Sequence, residues 1–261
     1  MITPILLLGA GRMGGALIEG WAKAGAFAAA DLIIRDPHAD VGAFPGASVN
    51  PPLQALSAAK TVLLAVKPQI WREAVADVVP HLAPDAVIVS IAAGVRAADI
   101  SAAFGGRAVA RVMPTTAVAI GLGTASIFAD TTQARARAHA LLDPVATTVD
   151  LDDEALMHAA TAVSGSAPAY LYAFIEALEA AGAGQGLDPA ASARLARATI
   201  VGAAALLGQG GEEPAELRKQ VTSPGGTTAA ALGVLMGEGG FGDLLPKALE
   251  AAVKRSVELG G

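Results

Sequence analysis

Over the first 150 residues short apolar runs alternate with stretches of helical length, and a glycine-rich turn follows the first run. Beyond residue 152 no strand-like run recurs. These observations predict an α/β protein: a doubly wound, parallel sheet followed by an all-helical C-terminal domain, because strand–helix alternation folds as parallel βαβ units. The boundary is expected near residue 150, giving domains 1–150 and 151–261 without an obvious flexible linker. A chain of 261 residues is long enough for two modest domains.

Taken in order, the strand candidates are 5–8, 32–35, 61–66, 86–91, 108–112 and 125–128, with a last one at 145–149. They read as near-continuous apolar runs, as strands do when helices cover both faces of a sheet. Helical segments such as 12–24 and 69–79 lie between most of them. In the second half helices are expected at 153–161, 166–183, 189–207, 214–221, 227–236 and 242–259. The stretch "LDPAA" supplies an Asp N-cap with proline at the first helical position. These later helices are rich in alanine and glycine and carry little bulky apolar area. Small domains with thin cores often need a partner, so the helical half is expected to be a dimerisation domain.

Composition narrows the function. Apolar residues make up 53% of the chain and aromatics only 4%, which favours close-packed helices. A net charge of −6 without a long basic run leaves no electrostatic footprint for nucleic acid. The lack of cysteine excludes disulfides, Cys-ligated zinc and thiol chemistry, and fits a reducing, cytoplasmic setting. "MITPILLLGAG" has no basic n-region and too short an apolar run for a signal peptide. No segment is expected to supply the roughly 20 apolar residues that span a bilayer, so no membrane partner is expected. His38, His81, His139 and His158 are scattered without metal spacing, and no metal is expected. Trp21 and Trp71 read as packing residues.

"ILLLGAGRMGGAL" places Gly9, Gly11 and Gly14 between a strand and a helix. The first glycine suits a tight turn, the second the approach of a pyrophosphate, and the third close helix–strand packing. The helix start then offers unpaired N–H groups to phosphate. The strand–turn–helix context that the motif requires is met, so the N-terminal sheet is expected to be Rossmann-type. Gly9, Gly11, Arg12, Met13 and Gly14 are its candidate dinucleotide contacts. The second strand ends in "IIRDPH". An acidic residue there would hold a ribose 2′-hydroxyl and an arginine a 2′-phosphate, and Arg35 and Asp36 stand side by side on opposite sides of the pleat. NADH and NADPH are not distinguished at this level. Three further strands end in breakers, "LLAVKPQ", "VSIAAGV" and "ARVMPTT". They put Val66, Lys67, Pro68, Ala92 and Ala93 on the crevice edge as further cofactor contacts.

With these motifs in order, the chain resembles the pyrroline-5-carboxylate reductase family. The resemblance rests on "GAGRMG", "LLAVKP", "SIAAGV", "RVMPTT", "AVSGSAPAYLYAFIEAL" and "PAELRKQVTSPGGTTAAAL", the last being the most specific. It implies a Rossmann domain followed by a helical domain that forms intertwined dimers, often assembled further into decamers. It also implies reduction of a cyclic imine with NADPH or NADH, NADPH ahead of NADH. Thr115 and Ala117 depart from the family's "MPNTP" pattern, as do Ala167 and Met236 elsewhere. Glu154 matches a cofactor-contacting glutamate of relatives.

The substrate so implied is a small ring with a C=N bond and a neighbouring carboxylate. In "SPGGTT", Gly225 and Gly226 let backbone approach a ligand without an intervening Cβ. Ser223 and Thr227 could add a hydroxyl or N–H to the carboxylate, and Gln220 matches a substrate-contacting residue of relatives. Thr228 matches the family position whose hydroxyl bonds the ring nitrogen. A threonine hydroxyl is a poor acid, so its expected role is orientation. A plain N-capped helix start would account for one hydroxyl and one glycine, not the whole run. Rival readings are a β-hydroxyacid dehydrogenase, a reductase of another small cyclic imino acid, and a non-catalytic nicotinamide-sensing protein. The first would want a lysine on the helix at 166–183, where there is none.

Overall fold

The structure is a computed structural model and describes residues 2–260. The chain packs as two compact units, 2–165 together with 253–260, and 166–252. The expected boundary near 150 thus falls inside the first unit, which also takes back the last turns of the final helix.

The first unit is an eight-stranded sheet in the order β3-β2-β1-β4-β5-β6-β7-β8. Its strands are β1 (Ile5–Leu8), β2 (Leu32–Arg35), β3 (Ser48–Val49), β4 (Thr61–Leu64), β5 (Val87–Ser90), β6 (Val109–Pro114), β7 (Gly123–Ala129) and β8 (Ala146–Asp150). Helices α1 (Arg12–Ala24), α2 (Trp71–Ala76), α3 (Ala97–Ala103), α4 (Thr132–Leu142) and α5 (Leu156–Ala160) complete it. Alternate strand residues feed two cores. Ile5, Leu7, Leu63 and Val89 lie in one, and Leu6, Leu8, Val62, Leu64 and Ile88 in the other. This is the pattern that period-2 pleating gives when both faces are covered. Trp21 is buried, donates from Nε1 to the Leu141 carbonyl at 2.7 Å and meets Phe27 edge-on. Trp71 is also buried.

The sheet corrects the sequence reading in three places. The two-residue β3 has too little apolar pattern to announce itself. β4 stops at Leu64, two residues short of the expected end. The all-parallel expectation fails at one seam, where β7 runs antiparallel to β6. Residues 115–122 are too few for a crossover helix, which takes a dozen or more. They form instead a tight 3₁₀ turn closed by Thr115 N to Thr124 O at 2.9 Å, with the Thr115 hydroxyl accepting from Thr124 N at 3.0 Å.

A single π-helical turn, Thr161–Gly165, ends the first unit. The second unit is wholly helical: α6 (Ala167–Gly184), α7 (Pro189–Gly210), α8 (Pro214–Gln220), α9 (Thr227–Leu235) and the start of α10 (Phe241–Gly260). Asp188 caps α7 through Ala190 N and Ala191 N, as "LDPAA" leads one to expect. The helices α6 and α7 pack closely. The buried Ser192 hydroxyl donates to Glu179 O at 2.8 Å, and a Cβ on Gly182 would stand 2.3 Å from it. The helix α7 has 22 residues and contains an 18-residue window of mean hydropathy 1.3, so by length and composition alone it could cross a membrane. This overturns the expectation that no segment could. It carries two charged residues, Arg194 and Arg197.

Candidate active site

The order of the strands fixes where a ligand can sit. From β1 the chain builds outward through β2 and β3, then returns to place β4 on the other side of β1. The crevice of an open α/β sheet lies at such a reversal, outside the carboxyl ends of the strands. Register brings Leu8, Leu64 and Ser90 level, with Arg35 beside Leu8. The residues just past them are Gly9, Ala65, Ile91 and Asp36.

Gly9 has φ +94°, and a Cβ there would meet Ala65 O at 2.9 Å and the Val66 Cγ1 at 3.0 Å. Ala65 and Val66, at the exit of β4, therefore lie directly against the glycine turn. Gly14 is packed harder, since a Cβ would fall 2.3 Å from Gly9 O. Around Gly11, by contrast, a Cβ would meet nothing within 4 Å. Gly11 is the N-cap of α1, where no side chain caps the helix. The first helical bond is Gly15 N to Gly11 O, so the N–H groups of Arg12, Met13 and Gly14 precede it. An uncapped helix start over open space is what a pyrophosphate requires. Ala92 is buried, its N–H bonded to the Ser90 hydroxyl at 3.2 Å, while Ala93 and Lys67 are exposed.

Pleating sends Arg35 and Asp36 apart, as expected. The Arg35 guanidinium is ion-paired with Asp77, just after α2. The Asp36 carboxylate turns to the glycine turn and accepts from Ala10 N at 2.8 Å, and from His38 N at 2.8 Å.

Glu154 is held within the chain. Its Oε1 accepts from Arg111 Nη1 at 2.8 Å and from Ala97 N at 2.6 Å. Arg111 is buried, with its side chain only 5% exposed. The pair lines a polar cavity of about 330 Å³ with Arg96, Asp153 and His158. Sequence reasoning missed this ion pair. The signal available was a charged residue interrupting the apolar run of β6.

In the second unit the run "SPGGTT" forms a turn into α9. Gly226 N donates to Ser223 O at 3.1 Å, and Gly225 takes φ +71°, a left-handed backbone that glycine adopts at least cost. Gly226, not Ser or Thr, is the N-cap of α9, and no side chain caps it. The first helical bond is Ala230 N to Gly226 O, leaving the N–H groups of Thr227, Thr228 and Ala229 ahead of it. Ser223 and Thr227 are exposed and Thr228 half-buried. Gln220 is exposed and donates to Glu212 at 2.6 Å. A helix start with four nearby hydroxyls and no hydroxyl cap is not explained by capping.

Comparison with known proteins agrees with this geometry. Residues 154–259 match the family model "Pyrroline-5-carboxylate reductase dimerisation", and residues 4–94 match "NADP oxidoreductase coenzyme F420-dependent". A pyrroline-5-carboxylate reductase of Pseudomonas aeruginosa is 39% identical, over 99% of this chain and 98% of that one. Among solved structures, a pyrroline-5-carboxylate reductase from Coxiella burnetii superposes with TM-score 0.92 at 28% identity, covering 100% of both chains. The Plasmodium falciparum pyrroline carboxylate reductase with NADP bound gives 0.84 at 25% identity, over 99% of this chain and 98% of that one. With a near-complete relative at 39% identity and a dinucleotide crevice where its sequence places one, this chain belongs to the pyrroline-5-carboxylate reductase family.

Proposed function

We propose that this protein reduces 1-pyrroline-5-carboxylate to proline with NAD(P)H, the last step of proline biosynthesis, and that its two units divide the work. NAD(P)H, when bound, supplies the hydride, and the chain supplies position. In the first unit the N–H groups of Arg12, Met13 and Gly14 hold the pyrophosphate, and Gly9 and Gly11 let the backbone come close to it. Val66, Lys67, Pro68, Ala92 and Ala93 border the rest of the nucleotide, and Arg35 or Asp36 meets the adenosine ribose. In the second unit the N–H groups at the start of α9, Gly225 and Gly226 hold the substrate carboxylate, with help from Ser223, Thr227 and Gln220. The positive end of the helix dipole favours that anion. Thr228 places its hydroxyl at the ring nitrogen and orients the imine.

The observation that carries this reading is the helix start at Gly226, which has a left-handed glycine before it and no side-chain cap. We place the protein in the cytoplasm as a homodimer through residues 151–261, with decamers as its higher assembly. Mixing the protein with pyrroline-5-carboxylate and NADH or NADPH tests the reaction. Nicotinamide absorbance falls and proline accumulates mole for mole. Absence of substrate-dependent oxidation with either cofactor overturns the assignment.

A further inference from the structure

Four hydrogen bonds fix Asp36 at the end of β2. Asn50, itself in the left-handed region at φ 47°, clamps the backbone of residue 36: its Oδ1 accepts from Asp36 N at 3.0 Å and its Nδ2 donates to Asp36 O at 2.8 Å. The carboxylate is held by Ala10 N and His38 N, both at 2.8 Å. It is half-buried and stands against the turn that receives the pyrophosphate. Each carboxylate oxygen has a further lone pair, so two acceptor directions remain after the backbone bonds are made. Arg35, the cation that would answer a 2′-phosphate, points elsewhere and is neutralised by Asp77.

We propose that Asp36 makes this chain prefer NADH over NADPH, with Asp77 reinforcing the choice by occupying Arg35. The inference rests on the nucleotide reading of the glycine turn and deepens it. A pre-positioned carboxylate accepts from the ribose 2′- and 3′-hydroxyls of NADH at no reorganisation cost. The same carboxylate opposes the 2′-phosphate of NADPH as a like charge, which disfavours that cofactor. A hydroxyl-accepting acid at the end of β2 is the general device for NAD, and an arginine free to meet the phosphate the device for NADP. Here the acid is in place and the arginine is spent.

Calorimetric titration of the intact protein with NADH and with NADPH, at one fixed ionic strength, reads the preference without turnover. NADH binds about tenfold tighter or more, the scale expected for an uncompensated charge contact. Asp36→Asn keeps an oxygen for Ala10 N while removing the charge, and it brings the two dissociation constants to within about threefold. Asp77→Asn leaves the glycine turn untouched, frees Arg35 and tightens NADPH about three- to tenfold with NADH unchanged. A wild-type protein that binds NADPH as tightly as NADH overturns the proposal, as does an Asp36→Asn variant whose ratio does not move. A failure of the reductase assignment would show instead as loss of imine turnover with both cofactors, leaving the binding ratio readable.

Discussion

The hydroxyl of Thr228 is the side-chain group on which the proposed chemistry turns, and its role can be separated from binding. A threonine hydroxyl titrates far above neutrality, so it orients the imine rather than surrendering a proton to it. Misplacing a reacting group by an ångström costs up to about a hundredfold in rate. Thr228→Ala therefore lowers kcat about ten- to hundredfold while the cofactor dissociation constant stays put, and Thr228→Ser restores most of the loss. Unchanged turnover in Thr228→Ala removes the residue from the mechanism. Glu154 carries a separate prediction. Its partner Arg111 is buried, and deleting the carboxylate strands that cation together with the Ala97 N–H. Loss of one partner from a buried pair costs about 3–5 kcal/mol, and the part-exposed glutamate puts this case near the lower end. Glu154→Ala lowers unfolding free energy by about 3 kcal/mol on that basis, with Glu154→Gln losing less because an acceptor remains. A purely cofactor-directed Glu154 would leave the stability of the free protein alone.

Among the elements, α4 and β8 are joined at the surface by His139. Its Nδ1 lies 3.0 Å from Asp143 Oδ1 and its Nε2 lies 3.1 Å from Asp150 Oδ2, while Arg135 also reaches Asp150 at 2.8 Å. Burial alone would lower the imidazole pKa, but hydrogen bonds and charge from the two aspartates outweigh it and raise the value above its ordinary one. A raised folded-state pKa stabilises the fold fully below the unfolded value, about 6.5. That contribution is lost as pH climbs through the folded value. His139→Gln is thus more destabilising at pH 5.5 than at pH 8.5, by a few tenths to about 1 kcal/mol for so exposed a network. Equal loss at both pH values in chemical denaturation would contradict it. These elements also show what sequence could and could not reveal. The glycine turn was legible as structure because its parts are local: strand, turn and helix follow one another within ten residues. The cap of α7 at Asp188 was legible for the same reason. Arg111 and Glu154 stand 43 positions apart, and nothing in either neighbourhood names the other. The side of the pleat was legible for Arg35 and Asp36, but their partners Asp77 and Ala10 are set by sheet register. The reversal at β7 was present in the shortness of 115–122, and the alternation of apolar runs concealed it.

Considered as a whole, the molecule carries a helical unit that cannot be its own core. Within 166–252 only Ser192 and Ala196 are buried in the single chain among the described residues. Tyr172, Leu195, Val201, Leu206, Val234 and Leu244 are each more than half exposed. Scattered apolar residues on a surface are ordinary, but a run of long helices with almost no interior marks an interaction surface. The family match over 154–259 is to a dimerisation domain, which supports a homo-oligomer and makes this surface its expected interface. Interfaces of that kind resemble a domain core cut in half and bury about 2,000 Å² or more. The folding of such a unit is then inseparable from association, and stability must follow protein concentration. Unfolding midpoints of the full chain should rise with each tenfold increase in concentration across the micromolar range, with sedimentation showing no folded monomer there. Val201→Asp places a charge on a side chain that is 70% exposed in the isolated chain, where it would cost almost nothing. At an apolar interface the same substitution weakens association and lowers the midpoint, and the loss shrinks as concentration is raised. A midpoint independent of concentration, together with a folded species of monomer mass, would mean that these helices hold themselves together by contacts the exposed apolar side chains do not make.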